Sequence, residues 1–192
     1  MTRFHSITTS LLIASIYLFH GSLGAIETRE ITWDDLMPEG WNPTRIFEEM
    51  SDEEFNAIPE EKYQKMLSKV QAELDDAPVI DALNGEQVKI PGFIVPLEIN
   101  SNSISEFLLV PYFGACTHTP PPPPNQIIYG KIKDRYTLDD INDPVWIIGK
   151  LTTGRFSSKL NETGVSQAAD ISSAYSIDVD RIEVYEEGQY GY

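Results

Sequence analysis

The spacing of apolar residues changes at Asn84-Gly85, and this change constrains the fold more than any other feature of the chain. Before it, Tyr63, Met66, Leu67, Val70 and Leu74 recur at helical spacing, one apolar stripe against a charged face. After it, β-branched and aromatic residues gather into short runs bounded by turn residues, at 88–97, 107–112, 126–132, 145–151 and 174–185. Five such runs within about 100 residues predict a mainly β unit with N-terminal helices, a small five-stranded OB-like barrel or, as the alternative, a small β-sandwich. Gly92 interrupts the first run, where a bulge or sharp bend lets one long strand serve two sides of a barrel. Residues 139–143 read as an acidic turn, and the polar stretch 157–173 as an exposed excursion between the last two strands.

Upstream, the start and stop signals are local. Thr32 can cap a short helical turn through Leu36, with Asp35 three residues on, and residues 37–43 break it. Ser51-Asp52-Glu53-Glu54 repeats the pattern, and Pro59 opens a longer helix through Leu74. Residues 25–83 are therefore expected to form a helical arm packed on a barrel of residues 84–192.

Residues 1–24 carry the three parts of a secretory signal: basic Arg3, the apolar run Leu11 to Phe19, and small residues around Ser22 and Gly24. The apolar run is too short for the roughly 20 residues a membrane-spanning helix needs. Cleavage after Gly24 places Ser22 at the −3 position, and no cysteine follows to take a lipid. The expected product is a periplasmic protein that does not span the membrane. The chain has 30 acidic and 14 basic residues, a formal charge of −16, and becomes one unit more negative once Arg3 leaves. A phosphate-neutralising surface needs clustered Lys and Arg, so nucleic acid and anionic lipid are poor partners, while cations and basic protein surfaces suit it.

The chemistry concentrates at residues 107–126. An apolar run, Phe107-Leu108-Leu109-Val110, leads through Pro111, Tyr112, Phe113, Gly114 and Ala115 to Cys116-Thr117-His118-Thr119, then to Pro120, Pro121, Pro122, Pro123 and Pro124, and on to Asn125-Gln126. Five successive residues without an amide hydrogen cannot sit inside a sheet; the stretch is stiff and surface-reaching. Cys116 is the one cysteine of the chain, so no intramolecular disulfide can form. In extended chain the Cys116 thiol and His118 imidazole share one side, and both suit zinc or copper. Further ligands would come from Glu98, Asp139, Asp140 or Asp143. The pair also reads as nucleophile and base with Asn125 as orienter, as a thiol for a mixed disulfide with another protein, or as a small buried hydrophobe beside a loop histidine. The prolines either dock on an aromatic groove of a partner or fold back on Tyr112, Phe113 or Tyr129.

The segments 92–98, 107–126, 145–149 and 174–177 together resemble a family of exported Gram-negative proteins classified only as a domain of unknown function, with a hallmark close to FLLVPYFGACxHxPPPPPNQ. The resemblance implies a periplasmic location and an accessory role, since members of that family are often encoded near a lipoprotein-releasing-type ABC transporter and near His-rich proteins tied to zinc supply. It directs attention to Cys116, His118, Asn125 and Gln126, with zinc as the implied metal and a transporter permease or other envelope protein as the implied partner.

Overall fold

In the computed structural model, the residues described are 27–97, 103–115, 122–137, 140, 142–159 and 170–185. The strands are β1 (Arg29–Glu30), β2 (Gln87–Pro96), β3 (Ser103–Val110), β4 (Ile128–Thr137), β5 (Val145–Lys159) and β6 (Asp170–Val184), preceded by helices α1 (Arg45–Glu48), α2 (Asp52–Asn56) and α3 (Glu60–Asp75). The sheet runs β1-β2-β3-β4-β6-β5, and β2 also pairs with β5. Five strands therefore close into a barrel with β1 added along β2. The β4–β6 pair is parallel while the other barrel pairs are antiparallel. This is the OB-like arrangement; closure removes the sandwich alternative.

β2 closes the ring by working in two halves. Residues Gln87 to Gly92 pair with β5, whereas Phe93 to Pro96 pair with β3. The switch falls at Gly92, where an added Cβ would lie 2.7 Å from the Val110 carbonyl oxygen and 3.0 Å from Leu109 Cγ. Only a residue without a side chain lets the strands approach that closely. Gly130 plays a related part: it pairs with Phe107 across β3 and β4, and the Phe107 ring occupies the space a Cβ would need.

All four residues of the apolar run in β3 are fully buried. Phe107 and Leu109 enter the barrel interior with Ile90, Ile94, Ile147, Tyr175 and Ile177, while Leu108 and Val110 join an outer cluster with Leu97, Ala115, Ile127 and Ile171. A strand covered on both faces needs no polar alternation, which explains a continuous apolar run in an antiparallel barrel. Each such side chain contributes roughly 1.5–3 kcal/mol on burial.

The N-terminal segment completes the interior. β1 pairs parallel to β2, the Ile31 N–H donates to the Lys89 carbonyl at 2.9 Å, and Trp33 Nε1 donates to the Pro91 carbonyl at 2.8 Å. Ile31, Trp33, Leu36 and Leu83 all lie in the interior cluster. Thr32 donates from both N–H and hydroxyl to Asp35 Oδ2, but it does not cap the short 3-10 turn Asp34–Leu36 as expected: Trp33 takes the N-cap position without a side-chain cap bond, and the Thr32 hydroxyl bonds to the carboxylate instead. Ser51 and Glu54 make the reciprocal capping box, and Pro59 stands immediately before α3. Of the apolar stripe on α3, Met66 and Val70 are buried and Leu67 is exposed. Tyr63 packs edge-on against Phe47 and Phe55, so part of the stripe is absorbed within the arm itself. Arg155 of β5 ties down the end of the helix, donating to the Asp75 carbonyl and to Asp76 Oδ1, each at 2.6 Å.

The strands are longer than their apolar runs. The expected excursion at 157–173 is corrected at both ends, because Phe156, Ser157, Ser158 and Lys159 pair with Ser173, Ser172, Ile171 and Asp170. Backbone hydrogen bonds carry this polar arm, helped by Tyr129 stacked on Phe156 at 6.2 Å; residues 160–169 lie outside the described residues. Gln126, expected to open the third run, belongs instead to a 3-10 turn, Pro124–Gln126. Among the described residues, no helix is long and apolar enough to cross a membrane.

Candidate functional site

The connection between β3 and β4 is held at both shoulders. On the first, Pro111 ends the strand and a turn follows in which Gly114 takes a left-handed φ of 77° and the Ala115 N–H donates to the Tyr112 carbonyl at 3.3 Å. Ala115 is fully buried in the outer cluster, yet Tyr112 and Phe113 are 51% and 59% exposed. The Phe113 ring meets Phe93 edge-on at 6.1 Å.

On the second shoulder Pro123, with φ −62° and ψ 155°, has polyproline II geometry, and Pro124 opens the 3-10 turn where its missing N–H leaves no bond unmade. Pro124 and Asn125 are buried, while Pro122, Pro123 and Gln126 are half-buried. Asn125 Nδ2 donates to the Pro78 carbonyl at 3.0 Å, and Gln126 Nε2 donates to the Trp33 carbonyl at 3.0 Å. These amides fasten the loop to two parts of the N-terminal segment. Asn125 Oδ1 is buried and has no hydrogen-bond partner among the described residues.

Cys116, His118, Pro120 and Pro121, together with Glu98 and Asp139, lie outside the described residues. Of the other carboxylates proposed as ligands, Asp140 accepts from the Asn142 N–H at 2.8 Å and from its Nδ2 at 2.7 Å, and Asp143 is exposed. Among the described residues, no three His, Cys, Asp or Glu side chains gather as a metal group. The aromatic rings named as supports for the prolines have other ring partners: Phe113 meets Phe93, and Tyr129 meets Phe156.

Sequence reasoning gave Phe113 no outward role, and nothing in the residue pattern marks its exposure. It also missed Tyr175, whose buried hydroxyl donates to the Leu36 carbonyl at 2.9 Å and accepts the Ile80 N–H at 2.7 Å. Burial raises the pKa of this phenol, the Ile80 N–H pulls it down, and Asp81 adds to the rise. Tyr175 thus holds the same N-terminal segment that Asn125 and Gln126 grip, and no periodicity in the sequence marks that use.

A family model described as "Protein of unknown function (DUF3299)" matches residues 33–184. The chain belongs to the DUF3299 family. A crystal structure of a DUF3299 family protein from Pseudomonas aeruginosa PAO1 is similar to it, with 34% sequence identity and a TM-score of 0.59 over 83% of this chain and 97% of that one. No curated protein matches the chain. The DUF3299 match spans both shoulders of the β3–β4 connection and the N-terminal residues that clamp it, from Trp33 onward.

Proposed function

We propose that this DUF3299 protein is a periplasmic accessory protein whose β3–β4 connection is its binding element, and that Cys116 and His118, with Glu98, hold a divalent transition metal, zinc in first place. One observation carries the reading. Leu97 and Ala115, the described residues next to Glu98 and Cys116 in the chain, share one outer cluster. A thiolate, an imidazole and a carboxylate are three donors that zinc accepts, and the acidic chain favours cations. Service to an ABC transporter permease or another envelope protein extends the same reading, with the metal passed to it or sensed for it.

The exposure of Tyr112 and Phe113 favours a second reading from another class: an interaction module of the cell envelope that docks Pro120 to Pro124, with the two rings beside them, on a partner without any metal.

The test is calorimetric zinc titration of the protein isolated from the periplasm of an expressing host, beside its Cys116→Ala and His118→Ala variants. Stoichiometric binding that both variants lose, weakening at low pH as thiol and imidazole protonate, is the expected result. Absence of binding by the reduced parent contradicts the metal reading and leaves the interaction module.

A further inference from the structure

β4 and β6 run side by side only in part. Their parallel pairing covers Ile128 to Ile132 and Tyr175 to Val179 and then stops, although both strands continue in the same direction. Past that point β4 leaves β3 as well over residues 132–135 and rejoins it only at Tyr136 and Thr137, while β6 keeps β5 on one edge as far as Val184. On the sides that face each other, residues 133–137 of β4 and 180–184 of β6 make no strand pairing among the described residues. Two irregularities lie at the split: a bulge of β4, whose residues 132–135 stand opposite Ser105 alone in β3, and the bulge that leaves Asp180 unpaired against β5. Bulges of this kind end pairing and turn a strand away from its neighbour.

A half-open cleft of about 480 Å³ lies at the split, lined from β3, β4 and β6. Ile132 and Val179, both packed against the barrel interior, contribute to its walls. Its rim carries four carboxylates, Glu106, Asp134, Asp178 and Asp180, against two ammonium groups, Lys131 and Lys133. Lys131 is paired with Glu106 at 3.5 Å, so three carboxylates face the one remaining lysine.

We propose that this split takes an extended, basic segment of another protein as an added strand. Open strand edges recognise backbone, which selects an extended chain over a helix; alternate side chains of that chain then meet the apolar wall and the rim. The rim charge selects lysine and arginine on the incoming strand. A second copy of this chain would bring an acidic surface to an acidic rim, since the formal charge is −16. The site is separate from the β3–β4 connection and stands whether or not that loop binds metal.

The test uses the intact chain and three nine-residue blocked peptides: one alternating valine and lysine, one alternating valine and glutamate, and the first N-methylated at alternate residues. Binding is read by fluorescence anisotropy, and the surface involved by amide hydrogen exchange. The expected result is binding of the valine-lysine peptide alone, with exchange slowed tenfold or more in 133–137 and 180–184. An Asp134→Lys, Asp178→Lys double variant should weaken that peptide at least tenfold and favour the glutamate peptide; should this variant fold poorly, the three peptides on the parent still decide. Equal binding of all three peptides, no binding of any, or protection elsewhere overturns the proposal. So does a concentration-dependent dimer that protects the same amides, which would make the occupant a second copy.

Discussion

The wall formed by β3 is apolar on both faces, but the two faces do different work. Inward, Phe107 and Leu109 join a large cluster fed by all five barrel strands and by Ile31, Trp33, Leu36 and Leu83. Outward, Leu108 and Val110 join a cluster of six buried residues that includes Ala115 and Ile127, one from each shoulder of the β3–β4 connection. The interior determines whether the barrel exists, and the outer cluster determines where the connection leaves it. Alternate residues of one strand thus govern stability and the placement of the candidate site separately, which mutations can test.

The largest effect is expected from Phe107→Ala, which empties the interior next to Gly130 and should cost about 3–5 kcal/mol, measured by urea unfolding. Leu108→Ala, one position along on the outer face, should cost less, about 2–3 kcal/mol. It should also speed amide exchange in residues 111–115 and 122–127 more than in β5. Equal loss of protection everywhere would break the distinction between the faces. Tyr175→Phe leaves the Ile80 N–H and the Leu36 carbonyl without the phenol and should cost about 1–2 kcal/mol, with exchange rising in the N-terminal segment first.

Two smaller effects sharpen the comparison. The Thr32 N–H donating to the Asp35 carboxylate, with the Thr32 hydroxyl and Arg29, holds that group below its ordinary pKa against an opposing desolvation. A lowered folded pKa means that the unfolded chain binds the proton more readily. The stabilisation is therefore present above the ordinary carboxylate range and lost as pH falls through the folded value. Asp35→Asn should lower stability slightly at pH 7, about 0.5 kcal/mol because solvent screens the pair, and leave it unchanged at pH 2; a loss equal at both values would contradict the electrostatic cause. Phe113→Ala, at a 59% exposed ring, should change stability by less than about 0.5 kcal/mol. If the interaction module is the correct reading, it should weaken partner capture; a large loss of stability would make Phe113 part of the outer cluster instead.

The barrel was legible in the sequence because its five strands each carry an apolar run, and the bend at Gly92 was legible because a lone glycine inside such a run has few other uses. What escaped was held by backbone and by single polar groups. β1 is two charged residues long, Arg29 and Glu30, and joins the sheet only through main-chain bonds. The polar arms of β5 and β6 add Ser and Lys positions that no hydrophobic pattern flags. Tyr175 reads as one more apolar strand residue, although its hydroxyl bridges segments 139 and 95 positions away in sequence. The candidate site was legible as chemistry: a lone thiol, an imidazole and a proline run. Its anchoring was not, because Asn125 and Gln126 reveal their clamps to Pro78 and Trp33 only once the fold brings these together.

The central claim, that the β3–β4 connection holds a metal through Cys116, is tested most directly by alkylation of that thiol. One cysteine in the chain means one readout by mass. Zinc should slow the reaction of native Cys116, a chelator should restore it, and His118→Ala should abolish the protection. The same alkylation rate with zinc and with chelator would contradict the account.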